Sequence, residues 1–422
     1  MELNACLIHL DVVYNSISTF ANFSAMKAIL FLASVLGLGV PITSVAIPKC
    51  HTDEDCNLNG VCNPFSKTCI CDSGWRSSDC GELDVRPATR NSGYNQTGVG
   101  TSSWGSKIVH DPHNSKLFHL FLAEFTDGCG LDYWSPYSRI IHAESTSGPI
   151  GPYTFSNQVV GTFAHNPTVV YSPADKLYLL YYIGCSFSAP AVCTGPSFTC
   201  GPGNDLNAES GISVQSSPDL KTWTPHGQVF SGDNGTNWDA DVTNPSPFPL
   251  YSPYNPTAEI LLAYRGCPYN CGGAELINFA MAQHFKGPYT KIESQPIFQN
   301  GNEDPFVWQD KRGNFHLLLH SLEAGGAFGD GPKVGRHAFA REFEGPWTFN
   351  NQTLAFNTTV QYTDGTSVNF YRRERPQLFF SEDGRMTPLY LTTGVQEVNS
   401  PQSYSVIQPL GGAAAYEASL GF

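Results

Sequence analysis

The sequence predicts an all-β protein in which a small disulfide-rich module is followed by a five-bladed β-propeller. A short motif that ends in proline and opens an apolar run occurs four times, and each copy continues into a polar turn and a second apolar run. This is the pattern of strand, turn and strand. Units of short strands that recur roughly every 55 to 80 residues are typical of propeller blades. No window shows a sustained helical periodicity, which disfavours a parallel α/β fold.

The chain begins with a segment that has the features of a secretory leader. Residues 26–46 contain one lysine, an apolar stretch of about a dozen residues, and small residues at Ser44 and Ala46. The apolar stretch is shorter than the ~20 residues that a membrane span needs. We therefore expect residues 1–46 to be a leader with a signal peptide at 26–46, and the protein to be secreted and extracellular. Four N-glycosylation sequons fit this compartment: Asn95, Asn234, Asn351 and Asn357.

Residues 47–82 are predicted to form the disulfide-rich module. A segment this short cannot bury a core, so disulfides must restrict its unfolded chain, and spacing alone leaves their pairing open. The tail C-x-C-x-x-G-W-x4-C, with Gly74 and Trp75, resembles the epidermal-growth-factor-like module. That resemblance implies a surface able to contact another protein. It also implies three disulfides: Cys50–Cys62, Cys56–Cys69 and Cys71–Cys80.

Calcium is not expected in this module. Calcium-binding members of the family carry acidic residues just before the first cysteine, whereas this chain has Ile47-Pro48-Lys49 there. A zinc site is a weaker alternative to the disulfides, because the six cysteines have no interleaved histidines and follow a secretory leader.

The propeller is expected to span residues 101–422, after a polar linker at residues 83–100. Each unit supplies an inner strand, a second strand, a third strand and, in most units, an outer strand. Four inner strands start with the motif that ends in proline: His165-Asn166-Pro167, Thr243-Asn244-Pro245, Glu303-Asp304-Pro305 and Glu374-Arg375-Pro376. A fifth, degenerate copy has Trp104-Gly105-Ser106 at the same place.

Six further cysteines follow the second strands of three units: Cys129, Cys185, Cys193, Cys200, Cys267 and Cys271. The second strand of a blade runs antiparallel to the first, so the loop after it lies on the face where the innermost strand starts. Loops on a rigid scaffold carry function, and we therefore expect the site on this face. Cys267 and Cys271 could close a local loop, and the pairing of the other four stays open.

The repeat domain resembles the five-bladed propeller glycosidases, meaning glycoside hydrolase family 43 and its relatives. The resemblance rests on Asp-Pro and Glu-x-Pro at the starts of inner strands and on second strands of the form aromatic-leucine-tyrosine. It implies three carboxylates at the starts of successive blades: a base, a residue that tunes the pKa of the acid, and a general acid.

Two of these three roles find a matching residue. The resemblance makes Glu374 the acid and Asp304 the residue that tunes it. The place of the base holds Thr243-Asn244, which has no carboxylate. Asp241 would point the same way as Thr243 on an extended strand, and Asp239 is the next candidate for the base.

Several other side chains are candidates for contact with a sugar. Trp104 could stack on a sugar ring, and the remaining candidates are His165, Asn166, Asn244, Arg265, Glu303, His320 and Arg375. Asx-Pro pairs also initiate turns, so the two asparagines have a structural alternative. Asp111 lies in a turn, and we expect it to be structural. Some family members hold calcium in the channel near a histidine, so the resemblance allows a channel Ca²⁺.

The sequence therefore predicts a glycoside hydrolase that acts with inversion on a polysaccharide or oligosaccharide. The net charge of −14 argues against a nucleic-acid partner, whose phosphates need lysine and arginine. The alternative is a non-catalytic extracellular protein that binds carbohydrate or mediates adhesion. Three carboxylates converging in the channel favour the enzyme, and one carboxylate among arginine and asparagine favours the binding protein.

Overall fold

The computed structural model describes residues 49–94, 101–195, 210–232, 237–254, 256–323 and 333–422. The expected leader and signal peptide lie outside the described residues, as do Cys200 and the sequons at Asn95 and Asn234. Asn351 and Asn357 are exposed. Among the described residues, no helix has the length and apolar character needed to cross a bilayer.

The N-terminal module is built from two small hairpins and a short 3-10 helix at Asp53–Cys56. Its strands are β1 (Gly60–Cys62), β2 (Cys69–Cys71), β3 (Trp75–Arg76) and β4 (Glu82–Leu83), paired β1 with β2 and β3 with β4. Its disulfides are Cys50–Cys62, Cys56–Cys69 and Cys71–Cys80. These are the pairs that the resemblance implies.

Five antiparallel sheets follow, and they confirm the predicted all-β propeller. The first blade is β5 (Ser102–His110), β6 (Phe118–Phe125), β7 (Ser138–Ser145) and β8 (Thr154–Val160). The second is β9 (Ala164–Ser172), β10 (Leu177–Gly184), β11 (Ile212–Ser217) and β12 (Thr224–Phe230). The third is β13 (Asp241–Pro249), β14 (Ile260–Cys267), β15 (Leu276–Ala282) and β16 (Thr290–Lys291). The fourth is β17 (Asn302–Gln309), β18 (Phe315–Leu322), β19 (Lys333–Ala340) and β20 (Thr348–Phe349). Each sheet follows chain order from the first strand outward.

The fifth blade has three strands of its own: β23 (Arg372–Phe380), β24 (Pro388–Gln396) and β25 (Ser403–Pro409). A separate hairpin of β21 (Thr359–Gln361) and β22 (Ser367–Asn369) precedes it. The helices are short: α1 (Trp134–Tyr137), α2 (Ala413–Leu420) and 3-10 turns at Leu131–Tyr133 and Tyr269–Cys271. Apolar side chains of neighbouring blades form the core, because the inner and second strands bury both of their faces.

The segment expected to be a polar linker lies against the fifth blade. Val85 and Tyr94 form isolated antiparallel bridges with Leu410 and Ser405, at the free edge of β25. Leu83 is fully buried. Residues before the first blade thus cover the edge that the three-stranded last blade leaves open, and an open edge is a pairing hazard in solution.

The module is packed into the propeller. The Trp75 ring stacks on Trp308 of β17, with 6.4 Å between ring centroids, and both belong to one apolar cluster that includes module cysteines. The Arg312 guanidinium forms a 2.5 Å ion pair with Asp72. The expected contact of this module with another protein finds no support here, because these module residues face the propeller.

Candidate active site

The inner strand of every blade bends at the same position. The central residue of each predicted motif has a left-handed backbone: φ is 57° at Gly105, 55° at Asn166, 53° at Asn244, 54° at Asp304 and 58° at Arg375. In all five blades the pairing of the inner strand with the second strand shifts at this point. Glycine, asparagine and aspartate tolerate positive φ, whereas arginine is uncommon there. The sequence motif is therefore a β-bulge that re-aims one side chain per blade.

These re-aimed side chains bind one another around the propeller axis. Asn166 Nδ2 donates to Asn244 Oδ1 at 2.9 Å, and Asn244 Nδ2 donates in turn to Asp304 Oδ1. The Arg375 guanidinium donates to Asp304 Oδ1 at 2.8 Å, and its backbone N–H donates to Oδ2 at 2.9 Å. A Cβ at Gly105 would lie 3.2 Å from Cβ of Arg375. The first blade therefore leaves room for the arginine, and the four side chains form a hydrogen-bonded chain around the axis, called the axial ring below.

A cluster of acids with one histidine lies beside this ring. Glu303, Asp304, His320 and Glu374 are all buried, and one nitrogen or oxygen atom of each lies within 4.8 Å of the others. His320 Nδ1 is 2.8 Å from Glu303 Oε1, and its Nε2 is 3.9 Å from Glu374 Oε1. Asp304 and Glu374 therefore lie at the same end of the channel, as the argument from blade topology requires.

Burial and mutual charge push the pKa values in this cluster in opposite directions. Burial lowers the pKa of His320, but the negative charges of Glu374 and Glu303 outweigh it and raise the pKa to about 9. Burial raises the pKa of Glu303, but the hydrogen bond and charge of His320 outweigh it, so the pKa ends below its usual value. Burial raises the pKa of Glu374. At neutral pH an imidazolium and an ionised Glu303 thus lie beside a glutamate that retains its proton more readily.

Glu275 and Arg265 extend the cluster toward the third blade. Arg265 Nε lies 3.2 Å from Glu275 Oε2, and a further guanidinium nitrogen lies 2.8 Å from Cys267 Sγ. Burial, followed by the charge of Glu303, raises the pKa of Glu275 to about 9, and Arg265 opposes this. Sequence analysis missed Glu275, whose one signal is its position directly before β15 on the predicted site face.

A cavity of about 220 Å³ opens onto this cluster and the ring. Its lining includes the predicted candidates Trp104, His165, Asn166, Asn244, Arg265, Glu303, Asp304, Glu374 and Arg375. His320 does not line it but contacts Glu303 from behind. The sequence did not single out the rest of the lining: Leu131, Asp132, Trp134, Ile183, Thr243 and Arg372.

Three of these additional residues come from the loop after β6. A disulfide joins Cys129 of this loop to Cys193 of the loop after β10, a pairing that the sequence left open. Asp132 is exposed, and it is the one further carboxylate that lines the cavity within the described residues. The Trp134 ring packs on His165, with 4.7 Å between centroids. The local disulfide that the sequence suggested, Cys267–Cys271, is also present.

The structure does not bring the two candidate bases to the cavity. Asp239 lies 2.8 Å from the Lys291 ammonium and accepts a hydrogen bond of 2.9 Å from the Tyr264 hydroxyl, both of which explain its burial without a ligand. Asp241 is paired in register with Cys267 at the start of β13, before the bulge that follows Thr243. The bulge re-aims only the residues at the motif, so residues upstream of it do not follow.

The four clustered side chains do not fit the calcium ion that the resemblance allows. Calcium takes six to eight oxygen ligands. Here one of the four groups is the His320 imidazole, a nitrogen ligand already 2.8 Å from Glu303, and the Arg375 guanidinium already compensates Asp304. The cations of the chain itself therefore balance these carboxylates.

Comparison with known proteins identifies the fold. No protein-family model matches the chain, and no curated protein does. A family 117 glycoside hydrolase of the marine bacterium Zobellia galactanivorans is similar in structure, with a TM-score of 0.51 and 15% sequence identity over 78% of this chain and 89% of that one. An alpha-L-arabinofuranosidase of Podospora anserina has 12% identity and a TM-score of 0.48, covering 74% of this chain and 92% of its own. The Bacillus subtilis arabinanase has 14% identity and a TM-score of 0.44, with 74% and 99% covered. The first similarity shows a shared fold.

Proposed function

We propose that this protein is a secreted glycoside hydrolase that acts at the axial cavity. The observation that carries the proposal is the convergence of three buried carboxylates on that cavity, with His320 behind them against Glu303. The cavity of about 220 Å³ is smaller than the ~300–1,000 Å³ typical for drug-sized ligands. It therefore suits one sugar ring, and two tryptophans, Trp104 and Trp134, offer apolar faces to it.

Glu374 is the general acid in this proposal. It is buried, and burial raises its pKa, so it holds a proton at a pH where an ordinary glutamate has lost it. Transfer of that proton to the glycosidic oxygen lets the bond to the anomeric carbon break and the alcohol leave. Asp304 tunes this group, because its charge raises the pKa of Glu374 further.

The base must lie elsewhere on the cavity wall. An inverting pair of carboxyl groups is about 6.5–9.5 Å apart, which leaves room for the attacking water. The closest oxygens of Glu303 and Glu374 lie within 4.8 Å, and Glu303 is engaged by His320 at 2.8 Å. Asp132 is the remaining carboxylate of the lining and is open to solvent. We assign it the role of activating water, which takes the place of the predicted Asp239 or Asp241.

A non-catalytic carbohydrate-binding protein is the second candidate. One observation favours it: the first blade has Gly105 and no carboxylate at the centre of its motif, and Arg375 fills the space that this glycine leaves. Amide groups of Asn166 and Asn244 together with an arginine are suited to hydrogen bonding with sugar hydroxyls.

The decisive experiment is a glycan and polysaccharide panel on wild-type protein and two variants. In Glu374→Gln the amide keeps the shape but cannot donate the catalytic proton, so we expect kcat to fall about 10²–10⁴-fold with KM little changed. Asp132→Asn should lower kcat as well. Asp383→Asn is the matched control, because Asp383 is an exposed carboxylate in the turn between β23 and β24 and does not line the cavity.

Substrates with different leaving groups distinguish the loss of the general acid from a general loss of folding or binding. An aryl glycoside with an acidic phenol needs little protonation as it leaves, so Glu374→Gln should lose far less activity on it than on an alkyl glycoside. The anomer released first, observed by NMR, reports the stereochemistry. Inversion supports Asp132 as the base, whereas retention makes Glu303 the nucleophile. Binding without turnover of any glycan by wild-type protein would favour the second candidate.

A further inference from the structure

A second cluster of titratable side chains lies in the first blade, at the end of β6 away from the cavity. His119 and His142 are fully buried, and Glu144 beside them is partly exposed. His119 Nδ1 and His142 Nε2 are 2.7 Å apart, and Glu144 Oε1 lies 3.8 Å from each. The catalytic proposal uses none of these groups.

In each of the two imidazoles, the outer nitrogen, meaning the one that points away from the other ring, carries a proton. His119 Nε2 is 3.0 Å from a carboxylate oxygen of Asp111, which only accepts. The other oxygen of Asp111 accepts the backbone N–H groups of His113 and Asn114, so this carboxylate is fixed in place. That is the structural role expected for Asp111 from its position in a turn.

The same holds for His142 on the neighbouring strand. Its Nδ1 is 3.0 Å from Oδ1 of Asn157 in β8. The Asn157 amide nitrogen donates to the backbone carbonyl of Gln158 at 3.3 Å, which orients the amide so that its oxygen faces the histidine. His142 Nδ1 therefore donates, and it holds the single proton of a neutral ring.

The two inner nitrogens are then left without a proton between them. A neutral imidazole carries a proton on one nitrogen only, so in the neutral form of both rings His119 Nδ1 and His142 Nε2 face each other with lone pairs at 2.7 Å. Such a contact is repulsive unless a cation lies between the rings. The carboxylate of Glu144 is directed at the same point from 3.8 Å.

The fourth blade contains a similar histidine pair, in which a hydrogen bond joins the two rings without a cation between them. His316 Nδ1 is 3.0 Å from His337 Nε2, and the His337 Nδ1 faces the amide nitrogen of Asn59 at 3.4 Å. An amide nitrogen donates, so His337 Nδ1 accepts, its Nε2 carries the proton, and that proton is donated to His316. The outer nitrogen of His316 lies 3.4 Å from Asp310.

The two pairs also differ in the residue across the strand. In the first blade the residue opposite His119 is Glu144, whereas in the fourth blade the residue opposite His316 is Phe339. Of these two pairs, the one in the first blade combines facing lone pairs with a third, anionic ligand atom.

We propose that His119, His142 and Glu144 bind a zinc ion. Two histidines and one glutamate form a known zinc ligand set, with a fourth position left for water. Bonds of ~2.0–2.1 Å in tetrahedral geometry place ligand atoms about 3.3 Å apart, against the 2.7, 3.8 and 3.8 Å found here. Shifts of roughly half an ångström are enough.

The surroundings of the site are those of a metal centre. Zinc-bound histidines usually donate their other N–H to a carboxylate or carbonyl oxygen, as His119 does to Asp111 and His142 to Asn157. The Glu144 side chain is 32% exposed, so solvent can reach the ion and supply the fourth ligand.

The test measures zinc in the full, untagged protein. After removal of metal with a chelator and dialysis against Zn²⁺, we expect one zinc per chain by mass spectrometry, a saturable isotherm by calorimetry and a raised Tm. In Glu144→Gln the neutral amide should weaken binding at least tenfold, and Asp111→Asn should weaken it about 10–100-fold through the orientation of His119. Cobalt at the site should give the visible absorption of a four-coordinate ion.

The control is Glu382→Gln. Glu382 forms a 2.9 Å pair with His110 at the same end of the fold but has no second histidine, so its loss should leave zinc binding unchanged. Wild-type protein that takes up no zinc would overturn the proposal, and the histidine pair would then share an extra proton. Zinc bound equally by wild type and Glu144→Gln would also overturn it, because the ion would sit elsewhere.

Discussion

Removal of the arginine from the axial ring tests how the acidic site is held together. Arg375→Met keeps much of the side-chain volume and leaves the Asp304 carboxylate without its guanidinium, 2.8 Å away in the wild type. Both residues are buried. Breaking a buried ion pair from one side costs about 3–5 kcal/mol, because an uncompensated charge remains.

The expected shift in Tm follows from the size of the folded unit. An unfolding entropy of about 2.1 cal/mol/K per residue gives roughly 0.8 kcal/mol/K for the chain from residue 49 to 422, so 3–5 kcal/mol corresponds to about 4–6 °C. Burial already raises the pKa of Asp304, and Arg375 opposes that rise. Without Arg375 the folded-state pKa lies further above the unfolded one, so the deficit grows as pH rises and shrinks near pH 4–5.

The assay is thermal and urea unfolding at pH 5 and pH 8. Asp304→Asn in the Arg375→Met background removes the unpaired negative charge. It should therefore recover a large part of the lost free energy of unfolding at pH 8. Arg385→Met is the matched control, since that arginine side chain is 78% exposed and should change the stability by less than about 0.5 kcal/mol. A single variant as stable as wild type at pH 8, or a double variant no better than the single, would refute the reasoning.

Two further predictions concern the junction with the module and the far end of the channel. Trp75→Ala should lower the stability of the whole protein by about 3–5 kcal/mol in one transition, because its ring packs on Trp308. Phe65→Ala, at a side chain 94% exposed, should change nothing, and a separate early transition of the module would contradict this. Burial lowers the pKa of Lys107 to about 7, so between about pH 10 and 7 the unfolded chain takes up a proton that the folded protein does not. Lys107→Met should therefore raise the Tm most at or below pH 7 and least near pH 10, and a pH-independent gain in differential scanning fluorimetry would exclude this cause.

Much of the fold could be read from the chain because its signals are local. Apolar runs bounded by turns specify strands, and the repeated motif fixes where each blade begins. The motif also marked the ring residues, since asparagine, aspartate and glycine accept the left-handed backbone of a bulge. Arg375 is the one ring residue without this tolerance, and its backbone N–H and guanidinium are both held by Asp304 from another blade.

What the sequence determined by itself is the order of strands, the module and the face that carries the acids, because each depends on neighbours along the chain. Only the tertiary structure decided which distant groups meet. It brought Glu275 beside Glu303 and Asp132 to the cavity, kept Asp239 with Lys291, and placed residues 83–94 along the last blade. The physical reason is that charge and burial act through space. The pKa of a carboxyl group depends on the side chains that surround it in the fold, and these come from strands far apart in the sequence.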